Sequence, residues 1–232
     1  MRLDRHGGVT VLPVMAAPAE YGEDLRARID PLMTGIGPVE GAVVLTAALA
    51  RLEAAGQLPD LIVSLGSCGS RVLKHAAVYQ ASSVAYRDMD ASALGFPKGV
   101  TPLLDQPAVM PLPCPIPGVP VARLSTGGNV VSGSAYDAID ADMVDMETWA
   151  LVRAAQTFGL PLVALRGVSD GGTELKALED WTSTLHHVDQ NLAIALDRLI
   201  AVLVADGLSA LEIPALQGQD PAQLPAPDSI LS

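Results

Sequence analysis

The stretch MVDMETWALVRAAQTFGLPLVALRGVSD, residues 143–170, decides the fold class. It opens on a short apolar run that carries Asp145 and Glu147 into a helical pattern, and it closes on a continuous apolar run ending at Asp170. A continuous apolar run of strand length reads as a strand buried on both faces, the usual condition of parallel strands in α/β proteins. A carboxylate among such residues is costly unless it is paired, hydrogen-bonded or protonated. Two strands with acids at their carboxyl ends therefore point to a site. Asp145 and Glu147 are two positions apart and share a face if the segment is extended. Each acid also has a purely structural explanation. Asp170, ahead of Gly171 and Gly172, suits a turn or a helix N-cap, and Glu147 suits the first turn of a helix, where the macrodipole favours negative charge.

Outward from this stretch the pattern repeats. VTVLPVMAA (9–17) reads as a first buried strand and EYGEDLRARI (20–29) as a helical segment. PLMTGIGPVEG (31–41) is a short strand running into a glycine turn, and GAVVLTAALARLEAAG (41–56) is a helix with a closing Gly. PDLIVSLGSCGS (59–70) is a central strand with a second glycine turn, AAVYQASSVAYR (76–87) is one or two strands, and VARLSTGGN (121–129) is again strand then glycine turn. Residues 88–120 hold eight prolines and read as a long excursion inside the domain, because apolar strands resume after them. WTSTLHHVDQNLAIALDRLIAVLVAD (181–206) contains a long amphipathic helix with Val188, Leu192, Leu196, Leu199 and Leu203 on one stripe. The expectation is one α/β domain over 1–206 and a Pro-, Ala- and Gln-rich tail over 207–232, extended or poorly ordered. In open α/β sheets, ligands bind beyond the carboxyl ends of the strands. Those ends, GIG, GSCGS, STGGN, DME and SD, can converge on one cleft.

Composition narrows the class. The 232 residues are 50% hydrophobic and only 3% aromatic, so the core is built from Ala, Val and Leu. A net charge of -12 argues against nucleic acid and against an anionic membrane surface, both of which need basic patches. Cys68 and Cys114 form no CxxC pair, MRLDRHGG has no apolar run of signal-peptide type behind it, and no stretch is long enough to span a bilayer. The expectation is a soluble cytoplasmic protein. TGIGPVEG has the spacing G-x-G-x-x-x-G, and Asp60, the acid at the right distance, stands before its strand, so a dinucleotide cofactor is not expected. GSCGS lacks the order of a nucleophile elbow, which leaves Cys68 as a packing residue rather than a nucleophile paired with His75. His186, His187 and Asp189 lack metal spacing and read as the solvated start of the last helix; no metal is expected.

Taken together, SLGSCGS (64–70), STGGN (125–129) and VDMETWALVRAAQTFGLPLVALRGVSD (144–170) resemble the purine nucleoside phosphorylase/nucleosidase superfamily. The closest resemblance is to its 5′-methylthioadenosine/S-adenosylhomocysteine nucleosidases. Those carry T-G-S-A-G-G at one strand end, V-E-M-E-A-x-A at a helix entry and R-x-I-S-D at another strand end. The resemblance runs from about residue 9 to 205. It implies a three-layer αβα sandwich around a central mixed sheet, a homodimer, no cofactor, and hydrolysis of the N-glycosidic bond between adenine and a 5′-thio-substituted ribose. Carried onto this chain, Glu147 holds the ribose 2′- and 3′-hydroxyls and Met146 packs on the sugar. Asp170 protonates N7 of the leaving adenine, with Ser169 supporting it, and Ser67 lies near the reaction centre. Glu20 is the general base, with Glu23 the fallback, and Arg166 lies near the water site. The partner chain closes the 5′ pocket, through Leu94, Phe96 and Leu104 of the irregular loop.

The residue types suit that chemistry on their own terms. Glycosidic cleavage passes through an oxocarbenium-like state helped by an acid on the leaving group and a base on water. A carboxylate is also a natural partner for a vicinal diol. The departures lie in the base-reading turn and its surroundings. STGGNV (125–130) replaces S-G-D-A-F-I, so Asn129 stands where an aromatic stacks on adenine and Val130 where the backbone reads the base. Two other readings remain open at this stage. One is a phosphorylase of the same superfamily, with Arg71, Arg87 and Arg166 as candidate phosphate ligands. The other is a catalytically idle nucleoside-binding protein.

Overall fold

The structure is a computed structural model and describes residues 1–104, 106–172 and 177–211. Among them, nine strands form one mixed sheet. They are β1 (Asp4–His6), β2 (Val9–Met15), β3 (Leu32–Met33), β4 (Leu61–Gly69), β5 (Val78–Tyr86), β6 (Val109–Pro111), β7 (Val121–Thr126), β8 (Met143–Asp145) and β9 (Leu162–Asp170). The helices are α1 (Glu23–Arg26), α2 (Pro38–Ala54), α3 (Thr148–Thr157), α4 (Leu178–Thr182) and α5 (Leu185–Asp206).

β2, β4 and β9 are parallel neighbours at the centre. Their near-continuous burial explains their apolar sequences, since helices cover both faces of the sheet. On one face α2 presents Leu45, Leu49 and Leu52, at the i, i+4, i+7 spacing of one helical stripe, into a core shared with Leu151, Val152 and Ala155 of α3. On the other face α5 buries Val188, Leu192, Leu196, Leu199 and Leu203 against Val63, Val163 and Leu165. The molecule is thus the expected three-layer αβα sandwich. Its sheet also closes on itself. β9 pairs with β4 on one side and β5 on the other, and β4 reaches β5 again through β8 and β7. The β4–β8 link is the single pair Gly69↔Val144, at the carboxyl end of β4 where the acids gather.

Two features differ from the reading along the sequence. β1 forms a hairpin with β2 across Gly7-Gly8, a turn whose glycine pair was the available signal. The irregular segment 88–120 contributes an edge strand, β6, that pairs antiparallel with β5 and carries Pro111, which an edge strand tolerates. After α5 a 3-10 turn (Gly207–Ala210) leads to buried Leu211, which packs into the α5 core. The remainder of the expected tail, from 212, lies outside the described residues. Among the described residues no helix is long and apolar enough to cross a membrane.

Candidate functional site

A cavity of about 480 Å³ opens where the strand ends meet. It is lined by Glu20, Ser67, Met146, Glu147, Asp170, Asn129 and Val130 among others, so seven of the nine residues to which the resemblance gives catalytic or substrate-binding places meet there. The exceptions are Ser169 and Arg166, which sit behind the wall.

Glu20 enters from a 3-10 turn (Pro18–Glu20) just beyond β2. The chain just after that turn is held by Asp189 of α5. Far from being solvated, Asp189 is buried and accepts the backbone N–H groups of Gly22, Asp24 and Leu25, capping α1. His186 and His187 are exposed, as expected. The Glu20 carboxylate accepts the Ser67 backbone N–H at 2.7 Å and the Ser67 hydroxyl at 2.6 Å, both on Oε1. Its Oε2 is buried and has no partner among the described residues. Burial raises the Glu20 pKa above the usual carboxylate range; the two Ser67 bonds and the Arg166 charge oppose the shift without cancelling it. Glu23, the fallback, starts α1 and does not line the cavity.

Asp170 is aimed by a β-bulge. β9 pairs with β4 in register up to Val168↔Cys68, then Gly69 pairs with Asp170, so Ser169 is the extra residue. Bulges of this kind re-aim side chains beside active sites. Gly69 must lack a side chain here, because a Cβ would lie 2.3 Å from the Tyr136 hydroxyl and 2.7 Å from Asp170 Oδ1. The Ser169 hydroxyl lies 2.7 Å from Asp170 Oδ2 and 3.3 Å from the Cys68 carbonyl. It can therefore donate to Asp170 when that group is ionised and turn to the carbonyl when it is protonated. Burial raises the Asp170 pKa, with the Ser169 bond and His75 opposing. The Tyr136 hydroxyl beside it is buried without a partner among the described residues.

Asp145 and Glu147 do not share partners. Asp145 accepts from Thr126 at 2.6 Å, from the Thr148 backbone N–H and hydroxyl, and from Arg166 at 3.1 Å. This buried pair, with Ser64 and Thr148 also on the guanidinium, is fully hydrogen-bonded and fixes the corner between β8 and α3. Arg166 thus reaches the cavity only through its field. Glu147, the N-cap residue of α3, accepts the Gly37 N–H at 2.8 Å and faces the cavity. Burial and then the Asp145 charge hold its carboxyl well above the usual range, against the Gly37 bond and Arg166.

Three cavity carboxyls with raised pKa values make the empty protein bind more protons folded than unfolded between the ordinary carboxylate range and the raised values. Its stability therefore falls as pH rises through that window. Glu147→Gln removes one of the three. The empty variant is expected to melt above wild type at pH 8, by about 2–4 °C for each kcal/mol relieved, with the gap closing toward pH 5. Equal melts at pH 8 would contradict the strained-carboxylate picture.

The sequence reading missed the roles of two lining residues. Arg87, at the end of β5, directs its N–H groups to the carbonyls of Ser125, Asp145, Gly127 and Asn129 and to Oδ1 of Asn129. It holds the STGGN turn, and Asp88 accepts the Gly128 N–H beside it. Trp181 of α4 donates its indole N–H to Ser67 Oγ at 3.0 Å. Its signal was rarity, since the chain has two tryptophans. The Cys68 thiol lies against Met143 Sδ at 3.8 Å, and burial pushes its pKa up, which suits packing. No group of three or more His, Cys, Asp or Glu among the described residues could hold a metal ion.

Residues 124–201 match the model of the Phosphorylase superfamily. The chain is 30% identical over 163 residues to the 5′-methylthioadenosine/S-adenosylhomocysteine nucleosidase of Haemophilus influenzae strain PittEE, covering 61% of this chain and 67% of that protein. It is 28% identical over 191 residues to the Arabidopsis thaliana enzyme of the same name, covering 74% and 70%. Among solved structures it resembles the Colwellia psychrerythraea 34H nucleosidase in complex with adenine, with a TM-score of 0.72 at 17% identity over 86% of this chain and 98% of that one. It also resembles the futalosine hydrolase of Helicobacter pylori strain 26695, with a TM-score of 0.69 at 20% identity over 82% and 97%. At these identities the structural likeness carries the fold.

Proposed function

Since this chain belongs to the purine nucleoside phosphorylase/nucleosidase superfamily and is a nucleosidase, an N-glycosyl hydrolase, we propose that its substrate is a 5′-thio-substituted adenine nucleoside. 5′-Methylthioadenosine or S-adenosylhomocysteine would be cleaved to adenine and the thioribose. In this reading Glu147 accepts hydrogen bonds from the ribose 2′- and 3′-hydroxyls, with Met146 against the sugar. Water held on Glu20 Oε2 attacks C1′ and gives its proton to Glu20. The C1′–N9 bond breaks with its electron pair passing to the base, and Asp170 delivers a proton to N7. The proton on Glu20 returns through solvent to Asp170. Ionised carboxylates around C1′ stabilise the oxocarbenium charge. Ile36, next to the Gly37 that binds Glu147, gives the sugar end an apolar wall suited to a thioether.

The observation that carries hydrolysis over phosphorolysis is the state of the cations. A phosphate nucleophile needs free donors. Arg87 lines the cavity, but its donors face five acceptor oxygens. Arg166 is paired with Asp145 behind the wall, and Arg71 pairs with Asp137. Among the described residues, what remains beside the reaction centre is an unpartnered carboxylate oxygen, which when ionised repels phosphate and can accept from water. The test is free-base release from methylthioadenosine, adenosine and inosine with and without phosphate. Adenine from methylthioadenosine without phosphate is expected. Release only with phosphate would make the protein a phosphorylase, and bound but uncleaved nucleoside would make it a binding protein.

The active form in this reading is a homodimer. Ile36, Val39 and Val43 form an exposed apolar row at the start of α2, beside the cavity mouth; of the loop residues expected at the partner, Leu94 is exposed, and Phe96 and Leu104 are half-buried. Sedimentation at assay concentration is expected to give a dimer. A fully active monomer would remove the partner from the site.

A further inference from the structure

We propose that Trp181 is a positioning residue for the general base, acting through Ser67: its indole N–H fixes the Ser67 hydroxyl proton on Glu20 and so reserves the other carboxylate oxygen for water. The inference rests on the reading of Glu20 as that base.

Donor and acceptor capacities fix the direction of each bond in this chain. An indole nitrogen only donates, whereas a serine hydroxyl has one proton and can accept as well. Trp181 Nε1 lies 3.0 Å from Ser67 Oγ, so Oγ is the acceptor in that contact. The single Ser67 hydroxyl proton is then directed to Glu20 Oε1, 2.6 Å away. The Ser67 backbone N–H reaches the same oxygen at 2.7 Å. Oε1 thus receives two donors while Oε2, buried beside Gly66, receives none among the described residues. A hydroxyl free to rotate would supply the bond to Oε1 only part of the time. The carboxylate would then be less well held and harder to keep ionised in its buried place. Phenylalanine at 181 fills the same wall and leaves that rotation free, so the nitrogen, not the ring, carries the effect.

Trp181→Phe, Ser67→Ala and the double variant test this, read as pH profiles of kcat and kcat/KM for base release, with Glu20→Gln as the reference. Trp181→Phe is expected to lower kcat roughly 3- to 10-fold. It should also move the acid limb upward by about half a pH unit, because the ionised base has lost part of a stabilising donor. In the Ser67→Ala background, Trp181→Phe should change neither kcat nor the limb further. A change confined to KM, with the limb unmoved, would make Trp181 a wall residue only. Multiplying effects in the double variant would also overturn the relay. Survival of the acid limb in Glu20→Gln would instead overturn the base assignment itself, so the two failures are distinguishable. If Trp181→Phe lowers the melting temperature, the step from Ser67→Ala to the double variant still reads the coupling, because it makes the same change in the wall.

Discussion

Asp170→Asn is expected to lower kcat for base release by about 10² or more while nucleoside binding stays close to wild type. An asparagine amide can still donate a hydrogen bond to a ring nitrogen, so the base keeps a partner. It has no proton to deliver, so the leaving base must depart as an anion. The setting of Asp170 is what a carboxyl acid at neutral pH requires. It is half-buried at the bulged strand end, its pKa is raised by that burial, and the Ser169 hydroxyl can serve both of its protonation states. The variant removes a buried ionisable group, so its empty form should melt no lower than wild type above neutral pH. Turnover near wild type in a folded variant would rule Asp170 out as the acid.

Glu20→Gln should cost 10² to 10⁴ in kcat, roughly the range of general-base assistance. The glutamine can still accept from Ser67 and fill the same volume, so folding and the cavity are preserved. What it loses is the ability to take a proton from water. The pH profile carries the sharper test. In wild type the base must be ionised, and burial holds its pKa above the usual carboxylate range, so activity should fall on the acid side at a higher pH than an exposed glutamate would give. Glu20→Gln should flatten that acid limb. A persisting acid limb with high residual turnover would assign the base elsewhere, with Glu23 poorly placed to take over because it lies outside the cavity.

Much of this protein was legible in one dimension. The runs at 9–17, 59–70 and 160–170 became β2, β4 and β9 because a strand covered on both faces has to be apolar throughout. The stripe on α5 was readable because a helix repeats its core face every three to four residues, and all five of its residues are buried. The acids at 145, 147 and 170 stood out because carboxylates among such residues need a reason. Identity and position along the chain were therefore enough to indicate an α/β sheet with acids at its strand ends, while the sandwich and the place of Glu20 came from the family resemblance.

The sequence could not say which way each of those groups would turn. Asp145 faces Arg166, and Glu147, two residues on, faces Gly37 across 110 positions of chain. Asp189 leaves the solvent to cap a helix more than 160 residues earlier. Arg87, a candidate for phosphate, is taken by backbone carbonyls, and Trp181 reaches a serine 114 residues away. Periodicity reports only neighbours within a few residues, whereas these partners meet because the sheet closes through β9 and a bulge shifts Asp170 by one position. Local pattern thus determined which residues form the strands and where the acids sit along them. Only the tertiary closure decided which carboxylates are neutralised by the protein and which keep an oxygen free for chemistry, because hydrogen-bond donors are few in the interior and the fold alone allots them.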